Sequence, residues 1–169
     1  MKEVFSVIIL HYNQPDYLYT AIDSVLAQSY PAIQLIFSDD GSLDFSVENI
    51  ERYIHEKKQK NIIDFKVIRH QKNVGTVKNL NEAYSQCIGK YVLQFAADDA
   101  LYDSEVLAQF SRALNNVSKE TIGVFARSLD CDENLVWTGK EYLAPDKAEY
   151  FSLLTAEEQY RKFIYRCDI

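Results

Sequence analysis

"YVLQFAADDALYDSEVL", Tyr91–Leu107, joins a run of β-favouring apolar residues to two adjacent aspartates and then to the opening of a helix. The run is mostly apolar and strand-like in composition, and is expected to be a buried strand. A helix is expected over 104–115, with Val106, Leu107, Phe110 and Leu114 inward, and Asp103 and Ser104 are the residues best placed to cap it. Asp98 and Asp99 are left without that task. Adjacent carboxylates repel each other and resist joint ionisation, so a pair at the rim of a sheet points to a cation.

The same strand, polar turn and helix recur upstream. Val4 to Leu10 is the first strand; after "HYNQPD" comes a helix with Pro15 near its start and a stripe of Leu18, Ala21, Ile22, Val25 and Leu26. "IQLIFS" (33–38) runs into "DDGS", with a second helix expected from about Asp44 that buries Val47, Ile50, Tyr53 and Ile54. "DFKVIRH" (64–70) leads through "NVG" to a third helix with Val77, Leu80, Ala83 and Cys87 inward. Strands alternating with helices predict an α/β fold, a Rossmann-like and mainly parallel sheet with helices on both faces. Beyond about residue 115 the pattern changes. "TIGVFARSLDCDENLVWTG" (121–139) reads as two strands about an Asp/Asn turn, and Thr155 with Glu158 forms a capping box for a last helix.

Composition narrows the function. The chain has 169 residues, 47% hydrophobic and 25% charged, with a net charge of −7. That suits one soluble domain and not a nucleic-acid binder, which needs clustered Lys and Arg. The 3 cysteines are widely separated, which predicts reduced thiols and a cytoplasmic setting. No Cys/His cluster suggests zinc, and no apolar run is long enough to span a bilayer. The run Glu56–Lys60 reads as the solvated end of a helix.

Four polar clusters, "HYN", "DDGS", "NVG" and "DD", follow strands one to four and so share the carboxyl edge of the sheet, where open α/β sheets bind ligands. Each has a plain structural reading: "DDGS" as a tight turn, Asn13 as a cap for the first helix, Lys78 as a solvent-facing residue. Together they suit Mn²⁺ or Mg²⁺ held by Asp98 and Asp99 and bridged to a diphosphate. There is neither G-x-G-x-x-G after strand one nor G-x-x-x-x-G-K-[ST]. A nucleotidyltransferase would need a Gly-rich basic loop at that place, and "LHYNQPD" is not one.

With those residues in view, the chain resembles the nucleotide-sugar-binding portion of a family 2 glycosyltransferase of GT-A fold. The resemblance rests on "SVIILHYNQPDYLYTAIDSVLAQSY", "LIFSDDGSLD", "NVGTVKN" and "GKYVLQFAADD" in order. It implies that Leu10, His11, Tyr12 and Asn13 cradle the nucleoside with Asp40, beside Asp39, and that Lys78 and Asn79 approach the base or diphosphate. Asp98 would face the ribose and Asp99 the metal, with Asp98 sharing it, in a D-x-D-type motif. It implies inverting transfer from a nucleotide diphosphate sugar to a glycan or lipid-linked acceptor in polysaccharide or cell-surface glycan synthesis, in the cytoplasm or at the inner face of the membrane. The chain departs from many relatives in having Ala96 where they carry a further acid, and Lys78-Asn79 where they carry Arg-Asn. Residues 1–115 are expected to bind the donor and 116–169 to begin the acceptor side. The chain ends where the acceptor half, with its general base, is expected, so no base is nominated; Asp130, Asp132 and Glu133 are assigned to solvent. The alternative is a non-catalytic nucleotide-sugar-binding module.

Overall fold

A computed structural model describes residues 3–119, 121, 123–142, 154, 155, 157 and 158. It divides into two compact units, Met1–Arg112 and Ala113–Ile169.

The first unit is built on four strands: β1 (Phe5–His11), β2 (Ile33–Asp39), β3 (Ile62–Arg69) and β4 (Tyr91–Ala96). They lie in the order β3-β2-β1-β4, and every neighbouring pair is parallel. Between them run α1 (Leu18–Leu26), α2 (Val47–Lys57) and α3 (Thr76–Ser85), and α4 (Val106–Asn115) follows β4. The α/β reading of the sequence holds. β1 and β2 are buried along nearly their whole length because they occupy the middle of the sheet, whereas β3 and β4 are half-exposed edges.

Side chains alternate across a strand, so the two faces can be separated by residue parity. Ile8 and Ile36 pack with Ala83, Leu80 and Cys87 of the α3 segment. On that same face Gln34 is fully buried: its Oε1 accepts from the Ser6 hydroxyl at 2.6 Å and the Ile88 amide at 3.0 Å, and its Nε2 donates to Asp64 Oδ2 at 2.8 Å and the Gln86 carbonyl at 3.1 Å. One amide side chain thus fixes the link from α3 to β4. The opposite face carries Phe37 and His11 against Phe45, the residue before the Ser46 cap of α2.

Several boundaries differ from the sequence expectation. α2 begins at Val47, because Ser46 and not Asp44 accepts the capping amide, from Asn49 at 3.2 Å. Val77 is 73% exposed; the inward face of α3 uses Asn79 instead, since Asn79 and Ser38 bond each other. α4 starts at Val106, after Asp103 Oδ1 has accepted the Glu105 amide.

In the second unit β5 (Ser128–Cys131) and β6 (Trp137–Tyr142) form an antiparallel hairpin. Asp132 Oδ1 accepts the Asn134 and Val136 amides and so shapes the turn, while Asp130 accepts from the Thr138 hydroxyl. Thr155 and Glu158 make the expected reciprocal box. The rest of the helix they open lies outside the described residues, as does Cys167.

Candidate functional site

The chain leaves β1 for β2 and β3 on one side, then returns to β4 on the other. The reversal makes the carboxyl ends of β1 and β4 the switch point of the sheet, the place where α/β folds of this kind open a crevice. Pairing brings Leu10 opposite Ala96 and His11 opposite Asp39. With strands about 4.8 Å apart, the ends of β2, β1 and β4 line a rim roughly 10 Å wide.

At the end of β2, Asp39 is fully buried and both its oxygens are occupied. Oδ1 accepts from His11 Nδ1 at 2.8 Å and from the Ser42 hydroxyl at 2.5 Å; Oδ2 accepts from the amides of Gly41 at 3.1 Å and Ser42 at 3.0 Å. The Arg69 Nε lies 3.9 Å from Oδ2. Burial pushes the Asp39 carboxyl up, but the hydrogen bonds from His11 and Ser42 outweigh it and hold it below the ordinary value. Asp39 is therefore the hub of the turn and has little left to offer a ligand.

Asp40 has a different task. Its Oδ1 accepts the Val74 amide at 2.7 Å and its Oδ2 the Gly75 amide at 3.0 Å, which clamps the loop before α3 onto the end of β2. The loop passes so close that a Cβ on Gly41 would sit 2.5 Å from the Lys72 carbonyl carbon, and Gly41 has φ +79°. Contact with a nucleoside would use the remaining lone pairs of Asp40.

At the end of β1 the chain turns at Asn13, whose φ of 53° is one that Asn tolerates. The Asn13 amide donates to Ser42 Oγ at 2.8 Å, and Asn13 Oδ1 accepts the Leu43 amide at 3.3 Å. Asn13 thus ties two turns together and does not cap α1, whose start has no side-chain cap. Tyr12, beside it, is 45% exposed. His11 is buried.

Two residues named from the resemblance have their side chains engaged inside the protein. Asn79 is buried and spends its side chain on Ser38, accepting from the hydroxyl at 2.5 Å and donating to the carbonyl at 3.3 Å. His11 likewise spends both ring nitrogens inside the protein. The sequence pattern marked neither as inward-facing, because a polar residue that packs inward looks like a ligand residue in a sequence. Lys78 is exposed in the first turn of α3, and Leu10 is half-buried on β1.

Beyond β4 the Ala97 amide donates to the Leu10 carbonyl at 2.8 Å, carrying the β1–β4 pairing to the foot of the acid pair. Asp98 and Asp99 are both exposed. Partial desolvation of the carboxyl against the sheet rim, in a residue that is exposed as a whole, and then the neighbouring charge of Asp98 raise Asp99 above its ordinary value, and a backbone hydrogen bond at Ala96 opposes them only in part. The following segment is held by Gln28, whose Nε2 donates to the Asp103 carbonyl at 2.5 Å and whose Oε1 accepts the Leu107 amide at 3.0 Å; sequence reasoning missed this residue. Among the described residues no group of three or more His, Cys, Asp and Glu could hold a metal ion. Two hard oxygen donors with open positions fit Mg²⁺ or Mn²⁺ completed by phosphate and water, and do not fit a closed zinc site.

The mainly parallel sheet with helices between its strands, and the switch point between β1 and β4, are those of a GT-A-type α/β fold. Residues 6–165 match the profile of "Glycosyl transferase family 2". The chain belongs to that family. An uncharacterised glycosyltransferase of Haemophilus influenzae is 31% identical over 157 residues, covering 90% of this chain and 60% of that one. The glycosyltransferase GlyG of Streptococcus pneumoniae is 24% identical over 151 residues, covering 88% of this chain and 48% of GlyG. The chain thus spans about half the length of these curated relatives. Among solved structures, Staphylococcus aureus TarS 1-349 in complex with UDP-GlcNAc aligns with a TM-score of 0.57 and 28% identity, over 66% of this chain and 31% of that one. Among the described residues no helix is long and apolar enough to cross a membrane.

Proposed function

We propose that this chain binds the nucleoside diphosphate sugar of an inverting, metal-dependent glycosyl transfer to a glycan or lipid-linked acceptor, in polysaccharide or cell-surface glycan synthesis in the cytoplasm. The single observation that carries the reading is the exposed carboxylate pair, Asp98 and Asp99, at the switch point beside the β1 turn. The TarS complex with UDP-GlcNAc supports a nucleotide sugar as donor. Free thiols at Cys87 and Cys131 support a reducing compartment.

In this reading Asp98 and Asp99 hold Mn²⁺ or Mg²⁺, and the ion supplies positive charge that favours departure of the diphosphate. The protein's own parts do the rest. Tyr12 and Asn13 offer the exposed turn against which a nucleoside lies, with Asp40 at its base side. Lys78 adds charge toward the phosphates without the planar fork of an arginine. Residues 1–115 form the donor side and 116–169 open the acceptor side.

Titration calorimetry tests the reading. UDP or GDP should bind in the presence of Mn²⁺, and binding should fall by about a hundredfold or more in chelator and in Asp99→Asn, as expected when a charged contact is lost. Equal affinity with and without the metal would refute the role given to the pair. Donor hydrolysis, followed as released nucleoside diphosphate, then reports turnover.

A further inference from the structure

The His11 ring is 3% exposed, lying between Phe37 and Phe45 with ring centroids 5.5 and 5.6 Å away. Its Nδ1 is 2.8 Å from Asp39 Oδ1 and 3.3 Å from Ser42 Oγ, and its Nε2 is 3.3 Å from the Gln14 backbone nitrogen. A backbone N–H can only donate. Nε2 therefore accepts and is unprotonated, so Nδ1 carries the proton and donates it to Asp39. An imidazolium would set Nε2–H against the Gln14 N–H.

The Ser42 hydroxyl makes a second relay from the same carboxylate. It donates to Asp39 Oδ1 and accepts the Asn13 amide. One buried aspartate thus reaches the β1 turn twice, through His11 to Gln14 and through Ser42 to Asn13, the two residues that follow the exposed Tyr12. The charged groups facing this assembly are Asp39 itself on β2 and Arg69 on β3, whose Nη2 also donates to the Ser42 carbonyl at 3.1 Å.

We infer that His11 is a positioning residue for donor binding: as the neutral imidazole protonated at Nδ1 it latches the Tyr12–Gln14 turn to Asp39, and the turn meets the nucleoside only while that latch is closed. The inference rests on the nucleotide reading above and adds to it a residue that never touches the ligand. It predicts a selective defect. Loosening the turn weakens recognition of the nucleoside and leaves the acid pair's grip on metal and pyrophosphate intact.

The test uses the whole chain and compares UDP, GDP and inorganic pyrophosphate, each with Mn²⁺, by calorimetry. His11→Gln can return a carbonyl oxygen to the place of Nε2 for the Gln14 amide, whereas His11→Asn is too short to reach it and His11→Phe has no acceptor. The ratio of nucleoside diphosphate to pyrophosphate affinity should fall about tenfold in the Asn and Phe variants and stay within about threefold in the Gln variant, the size expected for one orienting hydrogen bond. Nitrogen-15 spectra of the wild-type imidazole should show a neutral ring protonated at Nδ1. If folded Asn and Phe variants keep the wild-type ratio, or the spectrum shows an imidazolium or an Nε2-protonated ring at neutral pH, the latch is refuted. If His11→Phe does not fold, the Asn–Gln comparison and the spectrum decide. A wild type with the expected ring spectrum that binds pyrophosphate but no nucleoside diphosphate overturns the nucleotide reading and leaves the latch as a structural device.

Discussion

Asp40→Ala separates structural from recognition roles at the end of β2. Asp40 is 4% exposed and accepts two backbone amides, Val74 at 2.7 Å and Gly75 at 3.0 Å. A hydrogen bond to a charged group contributes about 1.5–3 kcal/mol, so two of them would suggest about 3–6 kcal/mol. The loop that donates them is partly open to solvent, and water can replace part of what is lost, which brings the expected cost to about 2–4 kcal/mol. For a chain of this length that is a fall in Tm of about 4–16 °C. Asp40→Asn keeps one acceptor and turns a donor toward the second amide, so it should fall between the wild type and Ala. Calorimetric melting of the three proteins measures this, with UDP–Mn²⁺ affinity measured well below each Tm. A Tm change of less than about 1 °C in Asp40→Ala would refute the clamp. Loss of stability with unchanged nucleotide affinity would leave Asp40 as a clamp alone and remove it from the base site.

Asp99→Asn should stabilise the metal-free protein at neutral pH while it abolishes metal-dependent binding. Its folded pKa is raised, so the fold prefers the protonated acid; that preference is fully present below the usual 3.8 and is lost as pH rises through the folded value. Denaturation at pH 7 and at pH 3 checks the sign: the gain over wild type should shrink in acid. Asp39 has the opposite sign. Its folded pKa is lowered, so its contribution is present above 3.8 and disappears as pH falls through the folded value, and Asp39→Asn should flatten the acid limb of the stability profile. Gln34→Leu leaves the buried Ser6 hydroxyl and the part-buried Ile88 amide short of an acceptor, at a cost of about 1–3 kcal/mol by urea denaturation. A loss under about 1 kcal/mol would mean that the α3–β4 link repacks around the change.

Sequence alone determined the class of the fold and the edge of the sheet on which its polar turns gather. Buried parallel strands demand apolar runs, helices covering them demand a stripe at helical spacing, and both are local patterns that survive in a linear text. The acid pair stood out for a similar reason: Asp98 and Asp99 are adjacent in the chain, and their repulsion needs no tertiary contact to be noticed. The division of labour among the other polar residues belonged to the tertiary structure. Asp39 and Asp40 are neighbours of one residue type, yet one is the buried hub for His11 and Ser42 and the other clamps a loop 34 residues away. Asn79 and His11 read as ligand residues in the sequence, and only the fold shows their side chains held by Ser38 and Asp39. Whether a polar side chain faces a ligand or satisfies its own protein depends on partners brought together by strand pairing, and a buried polar group must find such partners wherever the fold supplies them.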